Sequence, residues 1–260
     1  MISSTHQFII QAIKFILYGR RGEPFLINSK IYFFQPGSRP IRSKYINSKN
    51  EVVRNDVLQF KLVSELLKED SIFWDIGAHY GTYSILAAAY IKDNNKIFAF
   101  EPDTDAITIL NKNLSKNNLQ NKISVFETAV YSSIGIQEFD MQFGNSNSHL
   151  IRQGDINMKG SLKLVKTTTL NEALKRIPLP SIIKIDTEGA ELEIIKGAGD
   201  ILKNHDTIFI CELHPYAWGN DIEFIWKEFL ELVQSYGRTV KLIDNQKALN
   251  QLPFYGTILF

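Results

Sequence analysis

From about residue 56, short apolar runs alternate with stretches in which apolar residues recur at helical spacing. The runs are SIFWDI, KIFAF, KISVFE, IIKID, TIFICEL, TVKLID and, at the end, TILF. Helical patterns cover 57–67, 82–91, 106–114, 190–195 and 222–236. Continuous apolar runs bounded by polar turns mark strands buried on both faces, and intervening helices allow those strands to run parallel. The pattern predicts an α/β fold, a doubly wound and mostly parallel seven-stranded sheet covered by helices. Between KISVFE and IIKID the pattern loosens. Residues 136–143 and 162–167 read as strands of a hairpin-like insertion, with the polar stretch GNSNSHL as a mobile loop between them.

Residues 1–55 read as a small extension capping a main domain of residues 56–260. A helical face is expected from Phe8, Ala12, Phe15 and Ile16, then a short strand at 31–34, then the loop QPGSRPIRSK. The run from Phe8 to Leu17 is interrupted by Gln11 and Lys14, too short for a bilayer, and lacks a signal peptide's basic leader and cleavage site. A helix packed on the core is favoured over one lying on a membrane surface.

Composition narrows the function classes. The formal net charge of +1 gives no long-range attraction to phosphate backbones, so no nucleic-acid partner is expected. Cys211 is the single cysteine, which rules out an intrachain disulfide and a cysteine zinc cluster and suits a cytoplasmic protein. Its place in TIFICEL reads as core.

The chemistry begins at FWDIGAHYGTYS, where a strand ends in Asp75 and Gly77 and Gly81 lead into a helix. Glycine lets a ligand approach the main chain, and the helix start offers free N–H groups. The spacing Gly77-Ala-His-Tyr-Gly81 does not match the dinucleotide pattern G-x-G-x-x-G, nor is the P-loop lysine present. A third ligand, S-adenosylmethionine, carries a zwitterionic end, and Asp75 is placed to meet its ammonium. Glu101 ends the next strand, followed by Pro102 and Asp103. An acid at that tip can accept both hydroxyls of a ribose. The third strand leads to Ala129, small enough to border an adenine ring.

Further on, IIKIDTEGAELEIIKGAG delivers Asp186 to the carboxyl edge of the sheet, where open parallel sheets bind ligands. Glu188 and Glu191 follow at a helix start, where acids also serve the helix dipole. CELHP brings Glu212 and His214 to the same edge. Asp186, Glu188 and His214 are the candidates to take a proton from an acceptor. His149, in the GNSNSHL stretch, reads more readily as a solvent-exposed histidine than as a lid over substrate. Asp186, Glu188 and Glu212 could converge on a divalent metal, yet no recognisable metal-ligand spacing is present, and no metal requirement is expected.

Taken in order, DIGAHYGTYS, FAFEPD, ETAVYSSIG, IIKIDTEGAELEIIKGA and CELHP resemble the FkbM-type methyltransferases, over roughly residues 50–215. The KIDTEGAE segment is the most specific part. The resemblance implies a class I, Rossmann-like fold and an S-adenosylmethionine-dependent enzyme that methylates hydroxyls of sugars or secondary metabolites. It places Asp75, Gly77, Ala78, Gly81, Glu101 and Asp103 around the cofactor, with His79, Tyr83, Pro102 and Ala129 beside them, and Asp186 near the transferable methyl. His79 and Tyr80 stand where the family more often has a small polar pair. A small-molecule or saccharide acceptor follows. The rival readings are an NAD-dependent oxidoreductase or epimerase, which the glycine spacing opposes, and a non-catalytic module binding an adenosyl ligand or glycan.

Overall fold

A computed structural model describes residues 22–38, 51–141, 149–150, 161–244 and 255–260. The expected helix around residues 8–17 and most of the loop after residue 35 lie outside them.

In chain order, β1 (Glu23–Ile27) and β2 (Lys30–Phe34) form an antiparallel hairpin, and α1 (Glu51–Leu66) leads into β3 (Phe73–Ile76). Then follow α2 (Thr82–Tyr90), β4 (Ile97–Phe100), α3 (Thr104–Lys116) and β5 (Ile123–Phe126). An insertion holds β6 (Ala129–Val130), β7 (Gly135–Met141), β8 (His149–Leu150) and β9 (Ser161–Thr168). The remainder is α4 (Leu170–Leu174), β10 (Ile182–Ile185), α5 (Glu191–Lys196), α6 (Gly199–Leu202), β11 (Ile208–Leu213), a 3-10 segment (Pro215–Asp221), α7 (Ile222–Ser235), β12 (Lys241–Leu242) and β13 (Gly256–Leu259).

The seven expected runs build one sheet in the order β5-β4-β3-β10-β11-β13-β12. Its first five strands are parallel, and β13 runs antiparallel to both β11 and β12. After β3 the chain winds outward through β4 and β5, then returns to lay β10 on the opposite side of β3. That reversal opens a crevice at the carboxyl ends of β3 and β10, the place where such sheets bind ligands.

Alternation along the strands divides the core in two. Trp74, Ile76, Phe100, Ile183, Ile185 and Phe209 face α5 to α7. Phe73, Ile97, Ala99, Ile182 and Ile210 face α1, α2, α3 and the hairpin. Lys184 lies on the second face, 2% exposed in a strand that is otherwise apolar. Cys211 is fully buried, as its apolar run implied.

Several elements differ from expectation. The hairpin has a strand, β1, that its half-polar sequence EPFLI did not reveal, because pairing with β2 and packing by Phe25 and Ile27 complete it. Asn113 and Asn117 of α3 fasten it: Gln35 N–H donates to Asn113 Oδ1 at 2.6 Å, and Asn117 both accepts from Phe33 N–H and donates to Phe33 O. The insertion is a separate sheet ordered β6-β9-β7-β8, and the far end of GNSNSHL is strand rather than loop, with Leu150 opposite Phe139. Among the described residues no helix is long and apolar enough to cross a membrane.

Candidate active site

Three segments meet at the crevice: the β3–α2 loop, the end of β4 and the β10–α5 turn. The loop takes its shape from left-handed residues, Gly77 (φ 77°), His79 (φ 48°) and Gly81 (φ 80°). Its N–H groups turn toward β4: Gly77 and Ala78 donate to Phe100 O at 2.9 and 3.0 Å, and His79 donates to Glu101 Oε2 at 2.7 Å. Asp103 N–H donates to the other oxygen, Glu101 Oε1, at 2.9 Å. The Glu101 carboxylate is thus held by two backbone donors at the wall of the pocket. Burial outweighs those donors and pushes its pKa up to about 7. Asp103 also caps α3, its Oδ1 accepting from Asp105 and Ala106 N–H.

The pocket spans about 680 Å³, its open mouth included. Its apolar lining comes from Phe100, Ala129, Val130, Phe139 and Leu150, and its acidic lining from Glu101, Asp103, Asp186 and Glu188. Gly77, His79 and Pro102 also line it. The expected residues Gly77, His79, Glu101, Pro102, Asp103, Ala129, Asp186 and Glu188 are therefore brought to one cavity. Phe139 and Leu150, from the insertion, were not anticipated; they become pocket wall only because β8 pairs with β7.

Other expected residues sit behind that wall. Asp75 is fully buried beneath the loop, where Ser84 Oγ donates to its Oδ2 at 2.6 Å. Burial raises its pKa against the pull of Lys184. Ala78 packs in the core beside α2. Gly81 caps the start of α2 against Leu110. Tyr83 lies tilted against Phe60 and receives the Lys184 ammonium over its ring at 4.2 Å. These four belong to the support of the loop rather than to the pocket surface, because they pack on the side of the sheet that α1, α2 and α3 cover.

The β10–α5 turn carries the densest chemistry. Lys184 Nζ donates to Asp186 Oδ2 at 2.8 Å. Burial works against the Asp186 carboxylate, but Lys184 and His214 outweigh it and hold its pKa below the usual value. Glu188 adopts φ 54°, uncommon for a side chain other than glycine, and accepts from the Tyr216 hydroxyl. His214, 2% exposed, lies behind Asp186 and Glu188, with Nε2 at 3.6 Å from Asp186 Oδ1 and 3.9 Å from Glu188 Oε2. Its Nδ1 donates to Glu191 Oε1 at 2.8 Å. Burial alone would lower the imidazole pKa; Glu191, Glu188 and Asp186 together raise it to about 10.

Around this turn lies a buried polar layer of which the sequence announced Glu191 and Glu212 but not the partners from α1. Glu212 accepts from Asn55, Gln59 and Tyr255, and burial next to Asp186 lifts its pKa to about 8. Asp56 of α1 is raised to about 7, by burial and then by Asp186. Glu191, fully buried, also accepts from Gly189 N–H and Trp218 Nε1–H. The signal for Lys184 was available, a lysine inside an apolar strand. That for Asp56 was not, since it falls on an ordinary polar face of an amphipathic helix.

The residues suit a nucleoside with a cationic tail. Glu101 presents an acceptor pair at a strand tip, the apolar lining residues suit a flat base, and the acidic ones suit positive charge. Asp75 Oδ1 and Thr187 Oγ1 are buried beside it without a hydrogen-bond partner among the described residues.

Comparison with known proteins adds a family. Residues 75–238 match the model described as the methyltransferase FkbM domain. A hexuronic acid methyltransferase of Haloferax volcanii is 28% identical over 170 residues, spanning 65% of this chain and 66% of that protein. Among solved structures, an FkbM methyltransferase of Methylobacillus flagellatus is similar at a TM-score of 0.45 and 15% identity, over 80% of this chain and 59% of that one. An O-methyltransferase of Bacillus cereus in complex with SAH is similar at a TM-score of 0.46 and 15% identity, over 82% of this chain and 81% of that one.

Proposed function

The chain belongs to the FkbM methyltransferase family, and from that premise we propose that it moves the methyl group of S-adenosylmethionine onto a hydroxyl of a saccharide or a comparable hydroxylated metabolite. The observation that carries the cofactor assignment is Glu101, whose two oxygens are fixed by the His79 and Asp103 N–H groups at the wall of the pocket. Such a carboxylate accepts the hydroxyl pair of a ribose. Ala129, Phe100 and Val130 pack a purine beside it. The acidic turn supports a sulfonium and an amino group.

When bound, S-adenosylmethionine supplies an electrophilic methyl open to in-line attack by an acceptor oxygen. The protein's part is to hold that oxygen and receive its proton. Asp186 is ionised and lines the pocket, so it takes the proton. Glu188 and Tyr216 orient the acceptor at the mouth. His214 carries a proton at neutral pH and acts as a charged neighbour that keeps Asp186 ionised. The relative's description as a hexuronic acid methyltransferase supports a sugar acceptor.

The test is calorimetric titration of the pure chain with S-adenosylmethionine and with NAD, then transfer of labelled methyl to a panel of hexuronosides and neutral sugars. Binding of the first cofactor and labelling of a hydroxyl are expected. Binding of NAD instead overturns the cofactor assignment. Cofactor binding with no methyl transferred, whatever acceptor is offered, leaves a binding module.

A further inference from the structure

The cluster Asp186, Glu212 and His214 has a geometry that acceptor binding does not by itself explain. One donor atom from each lies within 4.8 Å of the other two. The histidine is aimed: Glu191 fixes Nδ1, so Nε2 can only point at the carboxylates, at 3.6 Å from Asp186 Oδ1 and 4.0 Å from Glu212 Oε1. Nε2 of the almost wholly buried His214 faces oxygens of Asp186, Glu188 and Glu212 at 3.6, 3.9 and 4.0 Å, each beyond hydrogen-bond length. These polar atoms thus converge across a gap too wide for a hydrogen bond and narrow enough for one ion.

We infer that Asp186, Glu212 and His214 bind one divalent cation of the magnesium–manganese class beside the methyl-transfer pocket. Ligands about 2.1 Å from a shared ion sit roughly 3–4 Å apart, so the observed spacing needs only a small closure. The surroundings have the form of a metal site's outer shell. Glu191 backs the histidine, and is itself held by Gly189 N–H and Trp218 Nε1–H. Asn55, Gln59 and Tyr255 fix the Glu212 carboxylate. Lys184 occupies Asp186 Oδ2 and leaves Oδ1 facing the gap. Carboxyl groups outnumber cationic ones around the gap: Asp186, Glu188, Glu191 and Glu212 against Lys184 and His214. A metal takes the place of the imidazole proton as it binds.

As a cation site this stands apart from the methyl-transfer reading; as an anchor for the acceptor it rests on that reading. A metal there would lower the pKa of an acceptor hydroxyl held at the pocket, and Asp186, with Oδ2 on Lys184 and Oδ1 on the ion, would then serve as ligand instead of proton acceptor.

The experiment titrates chelator-treated full-length protein with Mn²⁺ and follows the free-ion paramagnetic resonance signal. One bound ion per chain is expected, with ¹⁴N imidazole coupling in the spin-echo modulation. Asp186→Asn should abolish that site, and Glu191→Gln should weaken it by about 10–100-fold, the usual effect of losing a group behind a metal ligand. No uptake by the wild type, or uptake without the nitrogen coupling, overturns the proposal, and the second measurement needs no variant. S-adenosylhomocysteine binding, measured on the same sample, separates the two readings: binding without Mn²⁺ uptake sinks the metal alone, and Mn²⁺ uptake without it sinks the methyltransferase reading alone.

Discussion

A side chain on Gly77 would begin 1.9 Å from the carbonyl oxygen of Asp186. The first glycine of the β3–α2 loop and the strand-tip acid of β10, far apart in sequence, are thus pressed together through their backbones, and Asp186 N–H donates to Ile76 O at 3.0 Å beside them. This contact seats the acidic turn on the loop.

Gly77→Ala should therefore disrupt both. The left-handed φ costs about 1–2 kcal/mol for any L side chain, and overlap with a backbone atom adds to it. A drop in thermal midpoint together with loss of S-adenosylhomocysteine binding is expected; a variant as stable as wild type would show that the two turns do not touch.

Glu101 sets a pH dependence. In the folded chain its pKa is about 7, above its ordinary 4.5. The acid is therefore neutral in the fold below about pH 7, and its burial is costless below pH 4.5, increasingly costly between pH 4.5 and about 7, and constant in cost above that. Ribose binding needs the charged acceptor, so cofactor affinity should fall as pH drops below 7, by up to tenfold per pH unit. Glu101→Gln leaves one backbone N–H facing an amide donor and should lose about 1–3 kcal/mol of affinity with the pH slope flattened. Calorimetry between pH 5.5 and 8.5 reads both; a pH-independent wild-type Kd refutes the ribose role.

Asp186→Asn should lower kcat far more than it weakens S-adenosylhomocysteine binding. Equal losses would assign Asp186 to folding or to cofactor binding.

Lys184 is the buried counter-charge for Asp186, Asp75 and Glu212, which together keep its pKa above the usual value despite burial. Lys184→Met should destabilise the fold by about 3–5 kcal/mol, because it strands those carboxylates. The deficit should shrink on acidification as they take up protons. Denaturant melts at pH 5 and pH 8 measure it; an equal loss at both would mean that packing, not charge, is at stake.

Asn113→Ala should release the hairpin. The side chain accepts from Gln35 N–H and donates to Tyr80 O, so it ties the hairpin to the glycine loop. Faster amide exchange confined to residues 23–35 and 79–82 is expected, with about 1–3 kcal/mol lost.

The strand order's raw material, the glycine loop and the acids at 101 and 186 were legible because each is encoded locally: an apolar run fixes a buried strand, and the residue after it must stand at the sheet edge. Which strand-tip residues face the pocket was not legible. Asp75 and Glu101 look alike in sequence, one near the end of its strand and one just past it, yet the pleat turns Asp75 toward Ser84 of α2 while the loop's N–H groups draw Glu101 to the wall. His214 and Glu191 meet only because the crossover places β11 against β10, and Asp56 joins them from a helix more than a hundred residues earlier. Local pattern set the elements and the edge on which chemistry would gather. The facing of each carboxylate, and so its proton affinity and partners, came from long-range packing, because charge interactions depend on distance through space and not along the chain.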